Sequence, residues 1–177
     1  SCGHALSGVH IIAHPSAENE ILMTDQYRKD RLKQHSAATL TGYIHASAGF
    51  GESTQDLVFA GAAGIYELGA ALEESERFSM ESSLTISDID IERISNERGR
   101  SNSFKNLYAN ENRFQTVCLG NLCATDFEED LYRFVEPHPF TPFGDLEDRC
   151  REAVEIQISG LARRLSHINC KTAVIGI

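Results

Sequence analysis

No apolar run in this 177-residue chain approaches the length needed to cross a bilayer, and no leader of charged then apolar residues marks a secretory signal. No membrane partner is expected, and a cytoplasmic setting is. Basic residues are also in short supply: 16 Lys and Arg face 26 Asp and Glu, a formal net charge of -10. So acidic a chain repels phosphate backbones, which argues against nucleic acid as a partner while leaving room for a local basic site for a nucleotide. Cysteine is scarce and odd in number, at Cys2, Cys118, Cys123, Cys150 and Cys170. Without dense, even spacing there is no disulfide framework, and a reduced compartment is the simpler reading. Cys118 and Cys123 have no second pair nearby, and a zinc site needs tighter spacing and two more ligands, so both are expected in the core. An initiating Met is missing as well. The chain opens on Ser1-Cys2-Gly3-His4, and we expect it to be an internal piece of something longer.

What remains has the texture of a folded protein. The apolar share of 41% and charged share of 24% are those of globular domains, and the length suits one domain or parts of two. Gly8–Ala13 reads as a short buried strand, followed by a polar loop from His14 to Glu20. A charge-rich helix is expected over Asp25–Leu40, ended by Gly42. Tyr43–Ala48 reads as a second strand, then the glycine-punctuated loop Gly49–Thr54, then strands at Asp56–Ala60 and Gly64–Leu68, with Gly69 turning the chain into Ala70–Glu74. Leu84–Ile89 alternates as a half-solvated strand would, Ile91–Ile94 suits one or two helical turns, Asn96–Ser103 an exposed loop, and Phe114–Leu122 one more strand.

Pro137, Pro139 and Pro142, with Gly144, then make a linker of fixed shape, because each proline locks φ and removes a donor. Asp145 caps the helix that follows, with Asp148 three residues on. Cys150, Val154, Ile158, Leu161 and Leu165 fall at steps of three or four and make one apolar stripe ending near His167. Thr172–Ile177 reads as a buried parallel strand, so helix then strand has the order of an α/β domain.

Three stretches, in order, resemble the glutamine-dependent NAD+ synthetases. The first is Ala46-Ser47-Ala48-Gly49-Phe50-Gly51-Glu52-Ser53-Thr54-Gln55-Asp56-Leu57-Val58-Phe59, with Glu67-Leu68-Gly69 and Glu74-Ser75-Glu76-Arg77-Phe78 after it. The second is Pro139-Phe140-Thr141-Pro142, and the third runs from Arg149-Cys150 through Ile156-Gln157-Ile158-Ser159-Gly160-Leu161 to Val174-Ile175-Gly176-Ile177.

The resemblance implies an α/β fold: residues 1–136 as the C-terminal part of a nitrilase-like (carbon-nitrogen hydrolase) αββα glutaminase sandwich, 137–144 as a linker, and 145–177 as the first helix and strand of an adenine-nucleotide α-hydrolase-like synthetase domain. It implies a parent that releases ammonia from glutamine and uses ATP and Mg2+ to amidate nicotinic acid adenine dinucleotide to NAD+, assembled as a homo-oligomer. The family's Glu, Lys and Cys triad belongs before Ser1, so no catalytic residue is expected in this chain. Two positions at which the family holds glutamine, a Ser and a basic residue, carry Glu18 and Thr24 here. Gly176 and Ile177 fall at the edge of the ATP pyrophosphate loop, where a glycine permits close backbone approach.

Other residues have plainer readings. Cys2 is a small residue at a loop edge rather than a nucleophile, with no activating group argued nearby. Glu52-Ser53-Thr54 is a turn, with a role in shaping a substrate pocket left open. His45 is a satisfied core histidine, and Arg28 and Arg31 are solvated or paired across a surface. No metal ligands stand out. Two other functions stay open: a free-standing nitrilase-family amidohydrolase, and a degenerate, non-catalytic scaffold.

Overall fold

The computed structural model describes residues 2–102, 104, 114–120, 130–138 and 144–174. The chain divides into two compact units, Ser1–Phe134 and Val135–Ile177.

The first unit is a mixed α/β structure around a four-stranded sheet in the order β1-β2-β3-β4. A short helix α1 (Cys2–Leu6) leads to β1 (Ile11–Ser16), and α2 (Thr24–Thr39) carries the chain to β2 (Gly42–Ser47). β1 and β2 are parallel, with Ile12 opposite Tyr43 and His14 opposite His45. Parallel neighbours need a crossover, which α2 supplies. β3 (Ala63–Glu67) and β4 (Ala70–Glu74) are antiparallel additions. The turn between them holds Leu68 at φ 50° and Gly69 at φ 93°, the double left-handed pair that matches strand twist in a two-residue hairpin.

α2 packs on the sheet through few apolar side chains. Its buried residues are Arg28, Leu32, Ser36 and Thr39, so only Leu32 joins the cluster formed with Tyr43, Tyr66 and Ile12. Polar groups do the rest: the Ser36 hydroxyl donates to Thr41 O at 2.7 Å and accepts from the Gly69 amide at 3.3 Å. The helix ends one residue short of the expected place. Leu40, not glycine, takes the left-handed cap at φ 47°, and its N–H returns to Ser36 O and Ala37 O. Gly42 serves β2 instead, because a Cβ there would lie 2.9 Å from Ile89 Cγ2.

Several expected strands are absent, and in the first of them local side chains take up the backbone groups. In Asp56–Ala60 the Leu57 amide donates to Thr54 Oγ1 at 3.1 Å and the Phe59 amide to Ser53 Oγ at 3.0 Å, leaving Leu57 and Val58 exposed. Leu84–Ile89 is irregular, with Leu84 and Ile86 exposed and the Ser87 hydroxyl donating to Tyr132 O at 2.9 Å. Residues 115–120 form no strand either, and 121–122 lie outside the described residues. The polar stretch after Ile94, expected as a loop, is helical: α3 runs Ile91–Arg100, capped by Asp90, which accepts from the Arg93 amide at 2.8 Å. It extends because Arg98 is buried below Ile94 and donates to Leu40 O (2.9 Å) and Val9 O (2.6 Å), so a guanidinium stands where an apolar residue would signal the helix.

The second unit is α4 (Leu146–His167), capped by Asp145, which accepts from the Asp148 amide at 3.2 Å. The apolar stripe is present, but Val154, Ile158 and Leu161 are exposed. Thr172–Val174 has no regular structure and Val174 is 99% exposed, against the expected buried strand. Pro139, Pro142, Cys123, Gly176 and Ile177 lie outside the described residues.

Candidate functional site

The carboxyl ends of β1 and β2, with the loop 17–23 and the start of α2, gather the densest set of charged groups in the first unit. Arg28, only 3% exposed, is the hub. Its Nη2 donates to Glu20 Oε1 at 2.6 Å, while Nε and Nη1 lie 3.5 Å from Glu18 and 3.6 Å from Asp25 without hydrogen-bond geometry. Arg77 comes from beyond β4 to Glu20 (3.2 Å) and Asp25 (3.4 Å), and Arg31 donates to Glu18. Lys29 reaches Glu74 at 2.8 Å, and Glu74 also accepts from the Tyr66 hydroxyl at 3.0 Å. Arg28 is therefore not a surface residue as expected. Loop 17–23 folds Glu18 and Glu20 over α2, Asp25 of the helix itself adds a third carboxylate, and the guanidinium is buried because they compensate it.

Glu18 and Thr24 flank this loop but are not brought together. The hydrogen bond from Arg31 holds the Glu18 carboxyl below its usual range. Thr24 opens α2, and its hydroxyl donates to Ile21 O at 2.6 Å. Both side chains are thus engaged within the protein.

Behind the loop, His14 and His45 face one another on the parallel ladder, ring centroids 5.3 Å apart. His45 is buried at 2% exposure, yet neither ring nitrogen has a hydrogen-bond partner among the described residues. It is a core histidine but not a satisfied one. Burial, with His14 next in effect, lowers its pKa to about 4.

Two concavities border this end of the sheet. One, of about 450 Å³, is lined by Ser47, Gly49, Phe50, Gly61 and Glu76 among others, so the longest family-like stretch forms its wall. Gly61, at φ 67°, packs against Gly49 there, where a Cβ would meet the Gly49 Cα at 3.5 Å. Ser53 and Thr54 close the adjoining turn, as expected. The other, of about 570 Å³, is walled by Ile21, Leu22, Met23, Val58 and Phe78 over Arg77.

Of the cysteines, Cys2 lies exposed on α1, and Cys118 is exposed rather than in the core, because its segment forms no strand to bury it. Among the described residues no group of three or more His, Cys, Asp or Glu is placed to hold a metal ion. No helix among them is long and apolar enough to cross a membrane. Composition and periodicity gave no sign of Glu20, Arg77, Arg98 and Arg133 as structural residues. The one available signal was a Glu, Glu67, inside an otherwise apolar strand.

No protein-family profile matches the chain. A carbon-nitrogen hydrolase from Helicobacter pylori G27 overlays 58% of this chain and 39% of its own at a TM-score of 0.47 with 20% identity, too slight a likeness to carry a fold argument. The glutamine-dependent NAD(+) synthetases of Mycobacterium bovis and Mycobacterium tuberculosis are each 34% identical over 98% of this chain, and that of Mycobacterium leprae is 33% identical over the same share. In each the matched stretch is 26% of the relative, so the chain spans about a quarter of the length of the curated relatives it matches. Along nearly its whole length the chain is homologous to one stretch of the glutamine-dependent NAD+ synthetases.

Proposed function

We propose that the chain is the middle section of a glutamine-dependent NAD+ synthetase. Its first unit would belong to a nitrilase-like glutaminase and its second would open the ATP-using domain. The observation that carries this is the likeness to those enzymes, 34% identity over 98% of the chain. In the parent, glutamine hydrolysis supplies ammonia, and ATP with Mg2+ activates nicotinic acid adenine dinucleotide for amidation to NAD+. Glu18 and Thr24 would border the glutamine pocket, Gly176 and Ile177 the ATP loop, and the parent would assemble as a cytoplasmic homo-oligomer. The chemistry of amide cleavage needs a positioned thiolate and an oxyanion donor. On this reading both lie outside the chain, which therefore shapes the pocket without reacting.

The test uses the parent and the chain side by side. The parent, given ATP, Mg2+ and the dinucleotide acid, should form NAD+ from glutamine with glutamate released in step. The isolated chain should release none above a no-protein blank. Failure of the parent with both glutamine and ammonium would overturn the reading, as would glutamate release by the chain that Cys2→Ala abolishes.

One observation favours a second reading, a glutaminase section kept for assembly alone. The Glu18 carboxylate and the Thr24 hydroxyl are both engaged internally rather than turned toward a ligand. A parent of that kind would form NAD+ from ammonium and not from glutamine, and the same assay separates the two.

A further inference from the structure

We propose that the buried His45, packed against His14, is an acid-sensitive latch beneath α2, holding the first turns of that helix on the sheet while its imidazole is neutral and releasing them when it is protonated. The inference stands apart from what the chain catalyses.

The geometry leaves a proton nowhere to be balanced. His45 is 2% exposed, and both its ring nitrogens lack hydrogen-bond partners among the described residues, as does Nδ1 of His14. The groups around it come from every element packed there. They are His14 from β1, Glu18 from the following loop, and Arg28 and Arg31 from α2, while on β3 the Tyr66 ring lies over Gly64, the partner of His45 across the ladder. Only Glu18 is an anion, and it is already committed to Arg31 and Arg28. A charged imidazole would therefore sit beside two guanidiniums in a dry environment, which is costly unless the helix moves.

The sense of the effect follows from linkage. The folded-state pKa of His45 is about 4, below the ordinary value of 6.5. Such a group contributes stability that is fully present above the unfolded value and is lost as pH falls from there toward the folded value. Across the window from 6.5 to about 4, opening should become more favourable by on the order of 100-fold. What opens first is the polar seam. α2 is held there by Arg28 and its carboxylates, with Leu32 as its one apolar anchor, whereas the β3–β4 hairpin has its own ladder.

The experiment is hydrogen exchange of the full chain, read by mass spectrometry and corrected for intrinsic rates, at steps from pH 7 to 4.5. Protection over Thr24–Leu32 and over the carboxyl ends of β1 and β2 should fall steadily below pH 6.5, while β3, β4 and α3 stay protected. His45→Phe, which keeps an aromatic ring but cannot titrate, should flatten that dependence. Equal pH dependence in the parent chain and His45→Phe would overturn the latch, as would simultaneous loss of protection in every element. If His45→Phe does not fold, imidazole titration by NMR decides on the unaltered chain. A His45 that titrates near 6.5 with α2 still protected would sink the proposal, and one that titrates near 4 together with α2 opening would support it.

Discussion

Replacing Glu67 by Ala should cost the first unit about 3–5 kcal/mol, a large part of the roughly 5–15 kcal/mol that holds an ordinary domain together. The side chain is wholly buried on β3 and accepts four hydrogen bonds from three residues, two at the start of α3 and one far along the chain. The Asp90 amide donates at 2.7 Å, Arg93 at 3.1 Å, and Arg133 through two nitrogens at 2.9 and 3.2 Å. The two arginines do not weigh equally. Arg93 is half exposed and can turn to water, but the Arg133 side chain is 14% exposed and would be left buried with its charge uncompensated. Most of the cost therefore comes from Arg133 rather than from the bonds themselves. Glu67→Gln keeps an acceptor and the shape, so it should cost less, about 1–3 kcal/mol. The pair Glu67→Leu with Arg133→Met, apolar and of similar bulk, should recover most of the loss.

The assay is urea unfolding of the full chain followed by near-ultraviolet circular dichroism. The sequence has no tryptophan, and the buried Tyr43 and Tyr66 report on this unit. With a slope of about 1.5 kcal/mol per molar urea, a 3 kcal/mol loss moves the midpoint down by about 2 M. A Glu67→Ala midpoint within about 0.3 M of the parent chain would refute the reasoning. So would an Arg133→Ala substitution that costs the same with and without Glu67, since the two would then be uncoupled.

Leu32→Ala, which empties the one apolar anchor between α2 and the sheet, should cost about 2–5 kcal/mol in the same unfolding assay. Gly69→Ala should destabilise by about 1–3 kcal/mol, because φ there is 93° and the new methyl would sit 3.0 Å from Ala37 Cβ, whereas Gly51→Ala, with nothing within 4 Å, should be nearly silent. Asp145→Ala removes the cap of α4 and should lower its stability by about 1 kcal/mol, seen as faster amide exchange over its first turn.

The sequence was most readable where local chemistry is decisive. Asp145 with Asp148, the Leu68-Gly69 hairpin, and the alternation through Tyr43, His45 and Ser47 each announce an element through capping, turn type or pleat, and each element is present. It was least readable where a side chain, rather than periodicity, decides. Leu57-Val58-Phe59 has a strand's composition, but Ser53 and Thr54 hold it as a turn. Arg98 hides a helix because its guanidinium is buried where Leu or Ile would advertise one. The candidate site shows the same division. The stretch Ala46–Phe59 was recognisable and its first residues do wall a cavity, whereas the Arg28 hub was invisible, since Glu18 and Glu20 come from a loop that carries no period.

His45 and Glu18 give the first unit a one-sided response to acid. Among its largest wholly buried side chains are His45, Glu67, Thr41 and Ser36 beside Tyr66, Leu32 and Ile94, so polar groups hold what apolar contacts would hold elsewhere. A neutral histidine and ionised carboxylates are both lost in the same direction of pH. His45 contributes above 6.5 and ceases to contribute as pH falls toward 4. Glu18, whose folded value is depressed by Arg31, contributes above the usual 4.5 and is lost as pH falls through that lower folded value. The two losses therefore come in order, His45 first and Glu18 after it. Between them the α2 seam weakens while the Glu18–Arg31 contact is still intact. A helix that has begun to lift is thus still tethered by its loop in mild acid, through the hydrogen bond from Arg31 to Glu18.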